Sequence, residues 1–365
     1  MITAMLFTAL VAASGCDDGP MRPVLDPVEG SADASDTPGG DPSGPFSDIL
    51  IGLHMDLLFD GHAWRRQQAI DNAVQIGARV SRSSFLWHLI EPVRGQRNWS
   101  RPDAVLAELE AAGLEPVFAI YGSPSWANGV SERTPDAFLY VPRDRAAFDA
   151  WLDAYEDFVI DAVNRYRGRV NKWEIWNEQN EHFFWKPEPN IDQYVQFYRR
   201  IYAAIKSVAP EAEVAMGGLA GLCCSIGVNG VNFLQGLYDR GVRPDIVNIH
   251  PYALKSQSPS MSIPNENSFT DIARIREVMV RNGEGDKPIW VTEWGWATNK
   301  ISDERQAEYV ERSLELLATK YTYVKLATYF VDYDRPPEYY YGLFTQDFQP
   351  KPAAERFRQF MESME

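Results

Sequence analysis

"KWEIWNEQNE" runs from Lys172 to Glu181 and sets three glutamates, two tryptophans and two asparagines in ten residues. Its start reads as a β-strand. Alternation along an extended chain puts Glu174, Trp176 and Glu178 on one face. Glu178 then closes the strand, Glu174 lies four residues deeper, and Glu181 falls in the loop beyond. A glutamate at the C-terminal end of a strand is where a (β/α)8 barrel keeps its chemistry. The fold therefore turns on whether seven more such strands surround this one.

Working outward, short aromatic and β-branched runs alternate with amphipathic stretches. Strand candidates precede it at 47–55, 78–87 and 115–122, and follow it at 212–218, 245–252, 288–296 and 325–333, with 171–178 as the fourth. Helical patterns separate them, from "AWRRQQAIDNAVQIG" to the terminal "AAERFRQFMES", and several end in Gly, a common helix stop. Eight βα units predict an α/β protein, a (β/α)8 TIM barrel forming one catalytic domain over 46–365 without an accessory β-sandwich. An open doubly wound sheet is the rival, but no Gly-x-Gly-x-x-Gly follows the first strand.

The seventh strand, "PIWVTEWGW", supplies a partner for Glu178. It ends near Glu293, with Ile289, Val291 and Glu293 expected on one face. Two carboxylates presented across one barrel mouth can converge on a bond between them. That is the layout of glycoside hydrolysis, in which one carboxylic acid protonates the leaving oxygen and one carboxylate attacks the sugar carbon.

Composition narrows the partners. The formal charge is −16, from 35 basic and 51 acidic residues, which argues against binding to phosphate backbones. Aromatics make up 13% of the 365 residues, and such rings serve as apolar platforms for sugar faces. Three cysteines give no disulfide framework and no structural zinc site. The five histidines form no metal-binding pair, so no metal and no cofactor is expected. A carbohydrate substrate and a monomer are expected.

The N-terminus reads as an address. "MITAMLFTALVAASGC" is a short apolar run ending in small residues and Cys16, so residues 1–15 are expected to be a signal peptide. "ASGC" resembles a lipobox, with lipidation at Cys16, although Ala13 replaces the usual leucine. Residues 16–45 hold Asp, Pro, Gly and Ser with few large apolar side chains, the composition of a tether. The expectation is an exported protein, anchored to a membrane by lipid or secreted.

"WNE" closing strand four and "TEWGW" closing strand seven resemble the motifs of the clan A glycoside hydrolases, retaining enzymes on a (β/α)8 barrel. The resemblance covers the chain from about residue 46 to its end. It implies Glu178 as acid/base and Glu293 as nucleophile. It further implies Asn177 on the sugar 2-hydroxyl, Arg82 orienting the nucleophile, and His250 and Tyr252 beside it, with Tyr252 on the nucleophile's carboxylate. The nucleophile must stay ionised, so an arginine and a hydroxyl donor should hold its pKa down. The acid must be protonated at rest, and burial among Trp176, Trp294 and the other carboxylate should raise it. Glu174 is expected to be a buried structural acid paired with a base such as Arg82.

"KWEIWNE", "VNIHPY", "PIWVTEWGW" and "YYYGLFTQDFQPKPA" are most similar to glycoside hydrolase family 39 or its bacterial exopolysaccharide-degrading relatives, with family 5 as the alternative. Gln179 stands where that pattern often has proline, and the chain stops after helix eight, where family 39 xylosidases carry a β-sandwich. An endo-acting enzyme on a longer polysaccharide fits an open barrel better. A glycan-binding lipoprotein and a transglycosylase using the same residues are the alternatives.

Other residues have two readings each. Trp87, Trp126, Trp185, Trp294 and Trp296 are sugar platforms or packing, with about half expected on substrate. His54 and His88 bind sugar hydroxyls or pack, and His62 is expected at the surface. Cys223 and Cys224 are expected as two thiols rather than a strained vicinal disulfide. The polar segment 255–268 is a lid or a loop.

Overall fold

The computed structural model describes residues 48–225, 227–253 and 256–364. The signal peptide, Cys16 and the tether fall outside the described residues. Eight strands appear in the expected order. They are β1 Leu50–His54, β2 Val80–Leu86, β3 Glu115–Tyr121, β4 Lys172–Ile175, β5 Glu213–Met216, β6 Val247–Ile249, β7 Ile289–Val291 and β8 Val324–Phe330. Neighbours pair in parallel, and β1 pairs with both β2 and β8. Between β5 and β6 a bridge from Ala215 to Ile246 closes the ring.

The barrel helices are α1 Ala63–Gln75, α2 Ser100–Ala112, α3 Arg145–Tyr166, α4 Ile191–Val208, α5 Gly230–Asp239, α6 Ile272–Arg281, α7 Asp303–Thr319 and α8 Pro352–Ser363. Four begin on a side chain that accepts an otherwise unpaired amide of the first turn: Asp144, Asn190, Asn229 and Ser302. Their apolar faces pack on the outer faces of the strands in one large cluster.

The inside of the barrel is layered. At the end away from the mouth, Val80, Val117, Ala215, Ile246, Trp290 and Leu326 form a small separate apolar cluster. Two residues further along β2 and β4, the buried Arg82 and Glu174 replace it with charge, and Asn248, Thr292 and Thr328 complete a buried polar tier. One expectation is corrected here. Trp290 points inward, whereas Ile289 and Val291 join the outer cluster with the helices. Simple alternation would therefore send Glu293 away from the mouth.

Candidate active site

The two glutamates reach the mouth from irregular backbone past the strand ends. β4 stops at Ile175, and Trp176 and Glu178 take φ of 79° and 46°. Non-glycine residues seldom adopt the left-handed region, and the cost is retained where surrounding contacts dictate it. The Glu178 amide is held by the Gly218 carbonyl at 2.9 Å. This turn reverses the alternation. Trp176 leaves the barrel face expected for it and packs outward against Trp151, Trp185 and Phe197, its Nε1 donating to the Phe184 carbonyl at 2.9 Å. Asn177 and Glu178 take the inward places.

Arg82 organises the centre, and every nitrogen of its guanidinium is used. Nε donates to Glu174 Oε1 at 3.0 Å, and Nη2 donates to Glu174 Oε2 at 2.9 Å and to Asn177 Oδ1 at 2.8 Å. Nη1 donates to Glu293 Oε1 at 2.7 Å and lies 2.6 Å from His54 Nδ1. Arginine has no lone pair to offer, so His54 Nδ1 must be the acceptor. The His54 proton then sits on Nε2, 2.9 Å from Asp56 Oδ2. Burial would raise Asp56, yet His54, Arg335 and Ser84 hold it well below the usual carboxylate range. Glu174 has the structural place expected of it.

The two carboxyl groups sit in opposed environments. Burial pushes Glu178 well above the ordinary glutamate value, with the charges of Glu293 and Glu181 adding to it and Arg82 opposing. Burial would raise Glu293 as well, but the Arg82 guanidinium and the Tyr252 hydroxyl outweigh it and the net shift is downward. Tyr252 donates to Glu293 Oε2 at 3.0 Å. His250 joins the pair, with Nδ1 2.8 Å from Glu178 Oε1 and Nε2 3.1 Å from Thr292 Oγ1. Burial lowers His250 to about 3, so it is neutral and Arg82 is the lasting positive charge beside the nucleophile. A side chain at position 218 would collide with this imidazole, since a Cβ on Gly218 would lie 2.1 Å from Nε2. Glu178, His250 and Glu293 bring donor atoms within 4.8 Å of one another, near enough to grip a cation. The hydrogen bond to His250 and the charge of Arg82 already account for that approach.

The tryptophans are corrected. Trp87 is enclosed by Trp126, Tyr155 and Phe158 and donates to Glu91 at 2.9 Å. Trp294 donates to Ser313 on α7 at 3.0 Å and packs edge-on against Tyr329. Trp296 donates to the Gln257 carbonyl, and Trp185 lies against Trp176 and Tyr194. These four rings are buried packing, so neither Trp176 nor Trp294 supplies the wall around the acid. Trp126 is half-buried, edge-on to Trp87, with Arg94 over its ring. Trp87→Ala is expected to cost about 3–5 kcal/mol of stability in a denaturant titration, with the KM of the remaining folded enzyme unchanged.

Of the rings that do cluster at the mouth, Tyr252 and His54 were expected, while Phe330, Tyr339 and Tyr341 went unnoticed in the sequence. Phe330 closes β8 and lies 5.1 Å from His54, 6.1 Å from Tyr252, 5.4 Å from Tyr339 and 5.7 Å from Tyr341. "TYFVDY" and "YYYG" were the available signal. Asp56, next to the end of β1, was also missed. His88 stacks on Phe138 at 4.2 Å, burial takes it down to about 4, and His62 is exposed. Cys223 and Cys224 are thiols with sulfurs 3.3 Å apart. Asn267, in the segment after β6, holds both of their amides at 2.9 and 3.1 Å, tying that segment to the loop after β5.

A parallel eight-stranded barrel whose mouth opposes a raised and a lowered glutamate defines a TIM-barrel glycosidase site. Residues 92–364 match the glycosyl hydrolases family 39, and the chain belongs to that family of O-glycosyl hydrolases. Among solved structures, the family 39 glycoside hydrolase from the gut symbiont Bacteroides cellulosilyticus WH2 superposes with a TM-score of 0.66 at 20% identity, over 86% of this chain and 63% of that one. A monomeric β-xylosidase from Caulobacter crescentus CB15 gives 0.65 at 18%, over 86% and 68%. Xylanase 10B from Thermotoga petrophila RKU-1 gives 0.59 at 15%, over 86% and 94%. The chain thus spans about two thirds of the family 39 enzymes it resembles, and these likenesses speak to the fold.

Proposed function

We propose that this protein is a retaining, endo-acting glycosidase, with Glu293 as nucleophile and Glu178 as acid/base. The observation that carries the mechanism is the approach of the two carboxyl groups, one oxygen of Glu178 lying within 4.8 Å of one oxygen of Glu293. Retaining enzymes hold their carboxyl groups about 5–5.5 Å apart, whereas inverting ones leave about 6.5–9.5 Å for a water. In the first step Glu293 attacks the anomeric carbon while Glu178 protonates the departing oxygen, leaving a glycosyl ester on Glu293. Glu178, now ionised, takes a proton from water, which displaces Glu293 and restores the original configuration. Asn177, oriented by Arg82, is placed to hold the 2-hydroxyl.

Endo action draws support from a cavity of about 640 Å³ between the segments after β1 and β8. Ligand sites span about 300–1,000 Å³. Asp56, Tyr339 and Arg335 line it, and Asp56 touches His54, which lies 3.6 Å from Glu293. It thus connects to the nucleophile through Asp56 and His54, on the β1 and β8 side of the barrel, where further sugars on the non-leaving side would lie. The test is reducing-end release by residues 46–365 on xylan, mannan, β-glucans and bacterial exopolysaccharides. One polymer is expected to give oligosaccharides from the first minutes, with the configuration of the new ends retained by NMR. Monosaccharide as the sole early product would refute endo action, and inverted ends would refute the double displacement. The N-terminal sequence supports export and a lipid anchor at Cys16, which globomycin sensitivity and mass spectrometry of the mature terminus would check.

A further inference from the structure

We infer that Asn248 and Thr292 are positioning residues that fix which nitrogen of His250 carries its proton, and thereby keep the proton shared between His250 and Glu178 on the Glu178 carboxyl. Its catalytic meaning rests on Glu178 being the acid/base, as proposed above. The position of the proton rests on geometry alone.

The chain of hydrogen bonds runs across β6 and β7. The Thr292 hydroxyl donates to Asn248 Oδ1 at 2.9 Å, so its proton is committed there. Its oxygen can still accept, and His250 Nε2 lies 3.1 Å away. Nε2 therefore carries the imidazole hydrogen. A neutral imidazole with a hydrogen on Nε2 has a bare lone pair on Nδ1. That lone pair faces Glu178 Oε1 at 2.8 Å, a hydrogen-bond distance that needs one hydrogen between the two atoms. The carboxyl must supply it.

The opposite tautomer is disfavoured twice over. It would turn the Thr292 hydroxyl toward Nε2 and either strip the buried Asn248 Oδ1 of its donor or turn that amide over, leaving its carbonyl oxygen where Nδ2 now finds no partner. It would also make Glu178 Oε1 the acceptor, so that the carboxyl would no longer need its proton there, and would favour a second ionised glutamate within 4.8 Å of Glu293. The charged and titratable groups facing Glu178 are Glu293 beyond β7, Glu181 in its own loop, Arg82 on β2, and His250 and Tyr252 beyond β6. Arg82 is the one cation among them, and its guanidinium is bonded to Glu174, Glu293, Asn177 and His54.

The arrangement suits both halves of the cycle. Glu178 enters protonated and gives its proton to the leaving oxygen. The carboxylate left behind faces a lone pair rather than a donor, so it is poised to take a proton back from the incoming water. A donor on Nδ1 would stabilise the carboxylate and weaken it in both roles.

The test uses ¹⁵N-histidine NMR, with His250 assigned by loss of its signals in His250→Gln. In the wild type Nε2 is expected to carry the hydrogen and Nδ1 to be bare. Thr292→Val removes the acceptor at Nε2, and Asn248→Leu frees the Thr292 hydroxyl to donate to it. Both are expected to move the hydrogen to Nδ1. The Glu178 titration, followed by ¹³C-carboxyl NMR with Glu178→Gln as the blank, should fall by about one pH unit or more, while Thr292→Ser leaves it in place. A protonated Nδ1 in the wild type overturns the inference, even if neither apolar variant folds. So does a Glu178 titration that stays put in both. Retention of glycoside cleavage by Glu178→Gln would instead sink the acid/base assignment and leave the tautomer standing.

Discussion

Glu293→Ala is expected to lower kcat on the cognate polysaccharide by about 10⁴-fold or more, equivalent to at least ~5.4 kcal/mol of transition-state stabilisation. The protein should still bind that polymer, because Arg82 keeps Glu174 and Asn177 as partners. The more telling result is chemical rescue. Alanine leaves a gap where the carboxylate stood, and azide can enter it and attack the anomeric carbon from the same face. A glycosyl azide of inverted configuration is expected from Glu293→Ala with an activated aryl glycoside. Glu178→Ala has kept its nucleophile, so azide there should give the retained anomer through the glycosyl ester. NMR of the two products decides the roles. Retained configuration from Glu293→Ala would exchange the roles or abolish the mechanism.

How much of this was legible in the chain varies by level. Strand order and helix order follow from periodicity, since each βα unit carries its own local pattern. Order along the chain also placed Glu178 and Glu293 near the mouth. The reasoning about faces held for Glu178 but failed for Trp176 and Glu293, because alternation holds only while the backbone stays extended. At β4 the left-handed φ of Trp176 and Glu178 breaks it, and nothing in "IWNE" marks a residue other than glycine or asparagine for that region. At β7 the inward residue is Trp290, and Glu293 recovers the mouth only after the strand has ended. The tryptophans misled for a different reason. Large rings near strand ends serve the seam between barrel and helices as readily as a sugar, and Trp87, Trp294 and Trp296 sit in that seam with their indole nitrogens satisfied. Asp56 was invisible because its importance lies in a partner, His54, whose tautomer depends in turn on Arg82.

The same guanidinium yields the second large effect. Arg82 has no exposed surface and joins two carboxylates, an amide and an imidazole. Arg82→Met would leave Glu174 and Glu293 as buried carboxylates without a counter-charge, and breaking such a pair costs about 3–5 kcal/mol. Urea titration should show that loss, and Tm should fall by about 10 °C. Arg82→Lys should recover little, because a single ammonium cannot replace a planar fork serving four groups. The double variant Arg82→Met, Glu174→Leu should be less destabilised than Arg82→Met, since the second change removes an acid the first had stranded. The pH dependence has a definite sign. Glu293 is held below its ordinary value, so its contribution to stability is present above the unfolded pKa and is lost as pH falls through the folded one. Without Arg82 its pKa rises. The stability deficit should therefore be greatest near neutral pH and shrink as the pH falls and Glu293 takes up a proton. The acidic limb of kcat/KM should move to higher pH in the same variant. An unmoved limb would mean that His54 and Tyr252 hold the nucleophile ionised without the arginine.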